Sequence, residues 1–80
     1  MARISDFQEV ASGDDRVHSD VLCGYKVFSA SGSRMIQLDT YGSNEREFTG
    51  KVSQSIQFDR SAAERLLVII ESAFPGITGA

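Results

Sequence analysis

In the second half of the chain, two extended segments are followed directly by one helix. This order of elements constrains the fold more than any other feature of the sequence. Residues 34–41 alternate in hydrophobicity, with Ile36 and Leu38 on one side of a half-buried strand. Residues 47–58 resume the extended pattern after a polar loop, and a helix is predicted over 59–74. Strands followed by a single closing helix predict an α+β protein.

The alternation assigns the side chains of both segments to two faces of a sheet. Opposite Ile36 and Leu38, the first segment carries Met35, Gln37, Asp39 and Tyr41. The second segment carries Val52, Gln54, Ile56 and Phe58 on one face and Lys51, Ser53, Ser55 and Gln57 on the other. We expect the helix to cover one face of the sheet and solvent to reach the other.

The first half of the chain is divided between an acidic arm and a further strand. Residues 1–20 carry five acidic and two basic residues and are predicted to form a short helix or arm, followed by a loop. Residues 21–30 read as a strand with a bulge at Gly24, and 31–33 supply a hairpin turn. We therefore expect one domain at 21–80, an antiparallel sheet of about three to four strands with a C-terminal helix packed on it.

The predicted helix has two candidate N-caps and a wide apolar surface. Ser61 with Glu64 fits a capping box, and Asp59 is a competing N-cap. Val68 and Ile69 lie outside the stripe that should cover the sheet, so they are expected to pack on a second subunit or under the arm. The stripe itself consists of Ala63, Leu66, Leu67, Ile70, Ala73 and Phe74.

The small size of the chain favours a second subunit. A domain of 80 residues buries only about 60% of its unfolded surface, and its core is therefore marginal. We expect a homodimer with Val68 and Ile69 at its interface.

Residue types that support catalysis or metal binding are scarce. His18 is the only histidine and is expected to be a solvated side chain, while the only cysteine, Cys23, is expected to be a small buried residue of a strand. The adjacent carboxylates at 14–15 are typical of a solvated loop. No enzymatic activity, metal or cofactor is expected. A lone cysteine and the lack of a long apolar run favour a cytoplasmic protein without a membrane partner.

The predicted exposed face of the sheet interleaves basic and aromatic side chains. They are Tyr25, Lys26, Arg34, Tyr41, Arg46, Phe48 and Lys51. Single-stranded nucleic acid is bound by cations that follow the phosphates and by rings that stack on the bases. A net charge of −3 and an isoelectric point near 4.9 argue against a strongly electrostatic binder, and an ordinary solvated surface has a similar composition.

The order of short motifs resembles a known family. Ile-Gln-Leu-Asp-Thr-Tyr at 36–41 is followed by a polar loop, Gly-Lys at 50–51, Ser-Ile-Gln-Phe at 55–58 and a capped helix. In this order the motifs resemble the positive cofactor four-like transcriptional coactivators and their small bacterial relatives over residues 21–74. The resemblance implies a twisted antiparallel sheet of about four strands, a homodimer, and single-stranded DNA held on the joined sheets.

The resemblance assigns nucleic-acid contacts to Tyr41 and Lys51, and the strand pattern adds Lys26, Arg34 and Arg46. Three functions remain open. The first is a homodimeric protein of transcription or DNA maintenance that binds single-stranded DNA or RNA. The second is a non-enzymatic protein-interaction or regulatory module without nucleic-acid binding, which the acidic isoelectric point favours. The third is a small-molecule or enzymatic site in a dimer crevice.

Overall fold

The computed structural model describes residues 1–11, 13, 15–41 and 52–79. Its elements are β1 (Ala2–Arg3), β2 (Cys23–Ala30), β3 (Ser33–Thr40), β4 (Gln54–Asp59) and α1 (Arg60–Ala73). The strands form one sheet in the order β1-β4-β3-β2, in which β2, β3 and β4 are antiparallel and β1 is parallel to β4. The α+β prediction, a mostly antiparallel sheet followed by one C-terminal helix, is confirmed.

Strand β1 was not predicted. Ala2 pairs with Ile56 and Arg3 with Gln57, and the backbone N–H of Ile4 donates to the carbonyl of Gln57 over 2.8 Å. The described part of the arm contains no helix, although a short one was among the expectations. The N-terminus instead satisfies part of the β4 edge, whose backbone groups would otherwise need water as a partner.

The hairpin between β2 and β3 has a two-residue turn. Ser31 and Gly32 both have positive φ, 51° and 79°, as in the turns whose twist matches that of the flanking strands. The ladder then runs in constant register from the Ala30–Ser33 pair to the Cys23–Thr40 pair. The bulge predicted at Gly24 is therefore wrong.

The predicted strands and the helical stripe are shorter than expected. The strand expected at 21–30 begins at Cys23, and the strand expected at 47–58 begins at Gln54. Residues 42–51 lie outside the described residues. Leu67 in α1 and Phe74, the residue after α1, are exposed, because the helix contacts the sheet mainly along β4. The buried or half-buried positions are Ala62, Ala63, Leu66 and Ile70.

Cross-strand pairing divides the sheet into two faces. The polar face consists of Arg3, Gly24, Lys26, Phe28, Met35, Gln37, Asp39, Ser55, Gln57 and Asp59, with Ala30 and Ser33 at its end. The apolar face consists of Ala2, Cys23, Tyr25, Val27, Ser29, Arg34, Ile36, Leu38, Thr40, Gln54, Ile56 and Phe58. The assignment of β3 and β4 side chains to these faces agrees with the sequence alternation.

The described part of the chain has a very small core. Met35 is 5% exposed, Phe58 6% and Ala62 1%. No other apolar side chain among the described residues is buried. The chain exposes 6914 Å², whereas a compact monomer of 8.7 kDa exposes about 4,700 Å². Its radius of gyration is 14.6 Å, compared with about 12 Å for a compact domain of this length. This chain alone therefore exposes more surface than a compact monomer of its mass, and large apolar side chains such as Tyr25, Val68 and Phe74 are among the exposed ones.

Candidate binding face of the sheet

The polar face holds two shallow clefts that meet at Arg3 and Gln57. One cleft, of about 340 Å³, is bordered by Met1, Gln37 and Ser55 as well. The other, of about 300 Å³, extends towards the hairpin turn and includes Phe28. No residue of α1 lines either cleft. A ligand can therefore reach this face without displacing the helix.

A row of hydrogen-bonded side chains crosses the polar face. The Oγ of Ser55 donates to Oδ1 of Asp39 over 2.6 Å, and Nε2 of Gln37 donates to the same oxygen over 2.9 Å. Nε2 of Gln57 in turn donates to Oε1 of Gln37 over 2.8 Å. An ionised carboxylate accepts only, so Asp39 sets the orientation of both amides. The row thus presents fixed donors and acceptors.

Asp39 stays ionised under ordinary conditions. The hydrogen bonds from Ser55 and Gln37 lower the pKa of its carboxyl group, and the positive charge of Lys26 acts in the same direction. The polar face therefore carries a negative charge near the end of β3. A phosphate backbone would be repelled there, and any polyanion must run along other parts of the face.

Two cations and one ring flank this row. Nζ of Lys26 lies 5.6 Å from the centre of the Phe28 ring, within the range of a cation–π contact. Nη2 of Arg3 lies 3.0 Å from Oδ2 of Asp59. Arg3 remains largely exposed in this pair, and a surface pair of this kind stabilises the fold only weakly. Both cations are accessible to a ligand.

The predicted nucleic-acid residues are not all brought together. Lys26 lies on the polar face, whereas Arg34 pairs with Ser29 on the apolar face. Tyr41 is half-buried directly after β3, at the position that continues the alternation of the polar face. The other two predicted residues, Arg46 and Lys51, lie outside the residues that the structure describes.

Arg3, Phe28 and Gln57 were not named from the sequence as candidate binding residues of this face, although Gln57 was placed on the same side of its strand as Ser55. Phe28 and Gln57 could have been found, since both share the strand alternation that places Lys26 and Gln37. Arg3 gave no local signal, because β1 is two residues long and pairs with a strand more than fifty residues away. The polar face therefore includes Arg3, a cation that was not predicted there. It does not include Arg34, which was predicted there.

Val68 and Ile69 lie on the exposed side of α1. Val68 is 55% exposed and Ile69 37%. Together with Phe7 and Glu9 of the arm they border a groove of about 580 Å³. The arm therefore reaches these residues without covering them, and both alternatives for them stay predictions.

The remaining candidate residues lie at the surface. His18 is exposed. Cys23 is also exposed, with its Sγ 3.5 Å from the carbonyl oxygen of Gly24. The expected burial of Cys23 is wrong because β2 is the outer strand of the sheet.

Among described residues, no cluster of three or more metal-ligating side chains is found. No helix in the described ranges is long and apolar enough to cross a membrane.

Comparison of the chain with protein-family models, curated proteins and solved structures found no match. The resemblance to the positive cofactor four-like family therefore stays a prediction.

Proposed function

We propose that this protein is a homodimeric, non-catalytic, single-stranded nucleic-acid-binding protein that acts in transcription or DNA maintenance in the cytoplasm. The site is the polar face, with DNA or RNA as the ligand. One observation carries the proposal: two accessible cations, Arg3 and Lys26, flank an aromatic ring and a fixed hydrogen-bonding row on a face that the helix leaves open.

The physical roles follow from the side chains. Arg3 and Lys26 contact phosphates, and each contact releases counterions from the strand. Phe28, and Tyr41 at the end of β3, stack on bases, at about 1 to 3 kcal/mol per base. The amides of Gln37 and Gln57 contact base edges, since an amide both donates and accepts. The proposal thus keeps Lys26 and Tyr41 and replaces Arg34 by Arg3.

The surface of the chain supports the dimer. The exposed area exceeds that of a compact monomer by about 2,200 Å², and a standard interface removes about 800 Å² from each partner. Part of the excess belongs to the arm, which has no helix or strand after Arg3 in its described residues. Val68 and Ile69, which are apolar and exposed on α1, are the proposed interface.

A second candidate is a protein-interaction or regulatory module without nucleic-acid binding. It is favoured by the exposed apolar side chains of the outer strand β2, because Tyr25 is 78% exposed and Val27 lies beside it on the same face. An outer strand with such side chains can accept a strand from a partner chain. In this case the polar face is an ordinary solvated surface.

Titration of a labelled oligothymidine, followed by fluorescence anisotropy at several salt concentrations, tests the proposal. We expect binding at low salt that weakens as salt is added. Lys26→Ala should flatten the plot of log affinity against log salt by about 0.7, because the substitution removes one cation that neutralises a phosphate.

Arg34→Ala is the matched control, because it removes the same charge from the opposite face. It should leave both the affinity and the salt dependence close to those of the wild type. Absence of binding at low salt, or equal effects of the two substitutions, would contradict the proposal. The first of these results would favour the interaction module.

A further inference from the structure

We infer that a second copy of this chain packs the outward side of its α1 on the half of the apolar sheet face that the first copy's own helix leaves uncovered. This inference rests on the homodimer of the proposed function. It adds the surface that the exposed side chains of α1 contact in the other copy.

The helix covers only one half of the apolar face. It contacts the sheet mainly along β4, where Phe58 is buried, and both β3 and β2 lie to one side of β4. On these two strands Ile36 and Leu38 are half-buried, while Tyr25 is 78% and Val27 51% exposed. These four side chains, here called the uncovered half, share one face of the sheet.

The outward side of α1 carries a second apolar surface, here called the outer ridge. Leu67 is 47% exposed and Val68 55%, and Phe74, directly after the helix, is 62% exposed. Phe74 lies two turns beyond Leu67 and therefore on the same side. Glu64 and Glu71 are three or four residues from both Leu67 and Val68, so they flank the ridge.

The two surfaces complement each other in polarity and in charge. Arg34 is exposed on the apolar face, at the hairpin end of β3, and it is the cation that this face offers to the acidic flanks of a ridge. Each chain carries one ridge and one uncovered half. Two copies related by a two-fold axis can therefore make the same contact twice, as in a self-complementary interface. This reciprocity makes a second copy the occupant.

The exposed area is sufficient for such an interface. The chain exposes 6914 Å², about 2,200 Å² more than a compact monomer of its mass, and a standard interface needs about 800 Å² from each partner. The ridge also includes Val68, which already belongs to the proposed interface. The uncovered half thus continues that interface onto the sheet.

This packing has a consequence for the nucleic-acid site. The apolar faces and the helices lie between the two sheets, so the polar faces point outward on opposite sides of the dimer. Arg3 and Lys26 of each copy stay accessible. The dimer therefore holds one strand on each polar face, whereas the family resemblance implied joined sheets.

Sedimentation of two matched charge variants tests the packing. Val27→Asp places a charge in the uncovered half, at a position exposed enough to leave the core intact, and should give a folded monomer of 8.7 kDa. Lys26→Asp places the same side chain one residue earlier, on the polar face, and should remain a dimer. Circular dichroism of both variants checks that they are folded.

A charge exchange gives a second measurement that does not depend on Val27. Arg34→Glu should weaken dimerisation about ten-fold, because it faces the acidic flanks of the ridge with a like charge. Adding Glu64→Arg and Glu71→Arg to this variant should restore the dimer.

The outcomes separate this inference from the proposed homodimer. A folded Val27→Asp protein that remains a dimer, or an Arg34→Glu variant that dimerises like the wild type, would overturn the inference and leave the homodimer intact. A wild-type protein that sediments as a monomer would overturn both.

Discussion

At the scale of single residues, Asp59 links the beginning and the end of the chain through one carboxyl group. Its Oδ1 accepts from the backbone N–H of Ala62 over 3.1 Å and so caps α1. Its Oδ2 pairs with Arg3 of β1. Both contacts favour the ionised form, and the backbone hydrogen bond from Ala62 is the largest of the causes that lower the pKa of Asp59. Between the two candidate caps, the structure uses Asp59 and leaves Ser61 inside the helix.

The lowered pKa predicts a pH-dependent contribution of Asp59 to stability. A carboxyl group with a lower pKa in the folded state stabilises the protein above its unfolded pKa, near 3.8, and the contribution disappears as pH falls through the lower folded pKa. Asp59→Asn keeps a capping side chain but removes the charge that pairs with Arg3 and the helix N-terminus, so it should lower Tm slightly at pH 7. The difference from the wild type should shrink as the pH is lowered below about 4. Thermal melts over this range that keep a constant difference would contradict the assignment.

At the scale of elements, the β2–β3 hairpin places the two rows of side chains that form the candidate site. Its constant register puts Gly24 beside Asp39 and Lys26 beside Gln37. The register depends on the two-residue turn, since a slip by one residue would transfer every side chain to the other face. Positive φ at Ser31 and Gly32 is therefore a condition for the site.

The turn can be tested by two substitutions with opposite effects. Gly32→Ala should reduce the free energy of unfolding by about 1 kcal/mol, because a side chain is strained at a φ of 79°. Ser31→Gly removes such strain at a φ of 51° and should be neutral or stabilising by about 0.5 kcal/mol. Urea denaturation of both variants measures these changes. Two shifts in the same direction would show that the turn has another conformation.

Local patterns explain which parts of the fold and the site could be predicted. The two sides of each strand follow from its period, so Met35 and Gln37 of β3 were correctly assigned to one side of their strand, as were Ser55 and Gln57 of β4. The pairing of Arg3 with Gln57 is distant in sequence and leaves no such pattern. Lys26 and Arg34 were grouped because both are basic. Their separation required the register of the hairpin, which the sequence alone does not specify.

At the scale of the whole molecule, the exposed area and the small core, three apolar side chains among the residues that the structure describes, are the reasons to propose a second copy as a stabilising partner. We predict that the wild-type protein sediments as a dimer, at twice 8.7 kDa, at micromolar concentration. The double variant Val68→Asp, Ile69→Asp should dissociate, because an unpaired charge at an apolar interface is strongly unfavourable.

Ser61→Asp adds a charge at an exposed position of the same helix and should remain a dimer. A wild-type protein that sediments as a monomer would contradict the proposed assembly, and dissociation by Ser61→Asp would show that the interface is not at Val68 and Ile69.

The most direct test of the central claim, that the polar face binds single-stranded nucleic acid, is an NMR titration of the side-chain amide signals with oligothymidine. Gln37 and Gln57 lie on the polar face, whereas Gln54 lies on the apolar face and serves as an internal control. We predict that the amide signals of Gln37 and Gln57 shift as oligothymidine is added and that those of Gln54 stay in place. Shifts confined to Gln54, or no shifts at saturating oligothymidine and low salt, would contradict the account.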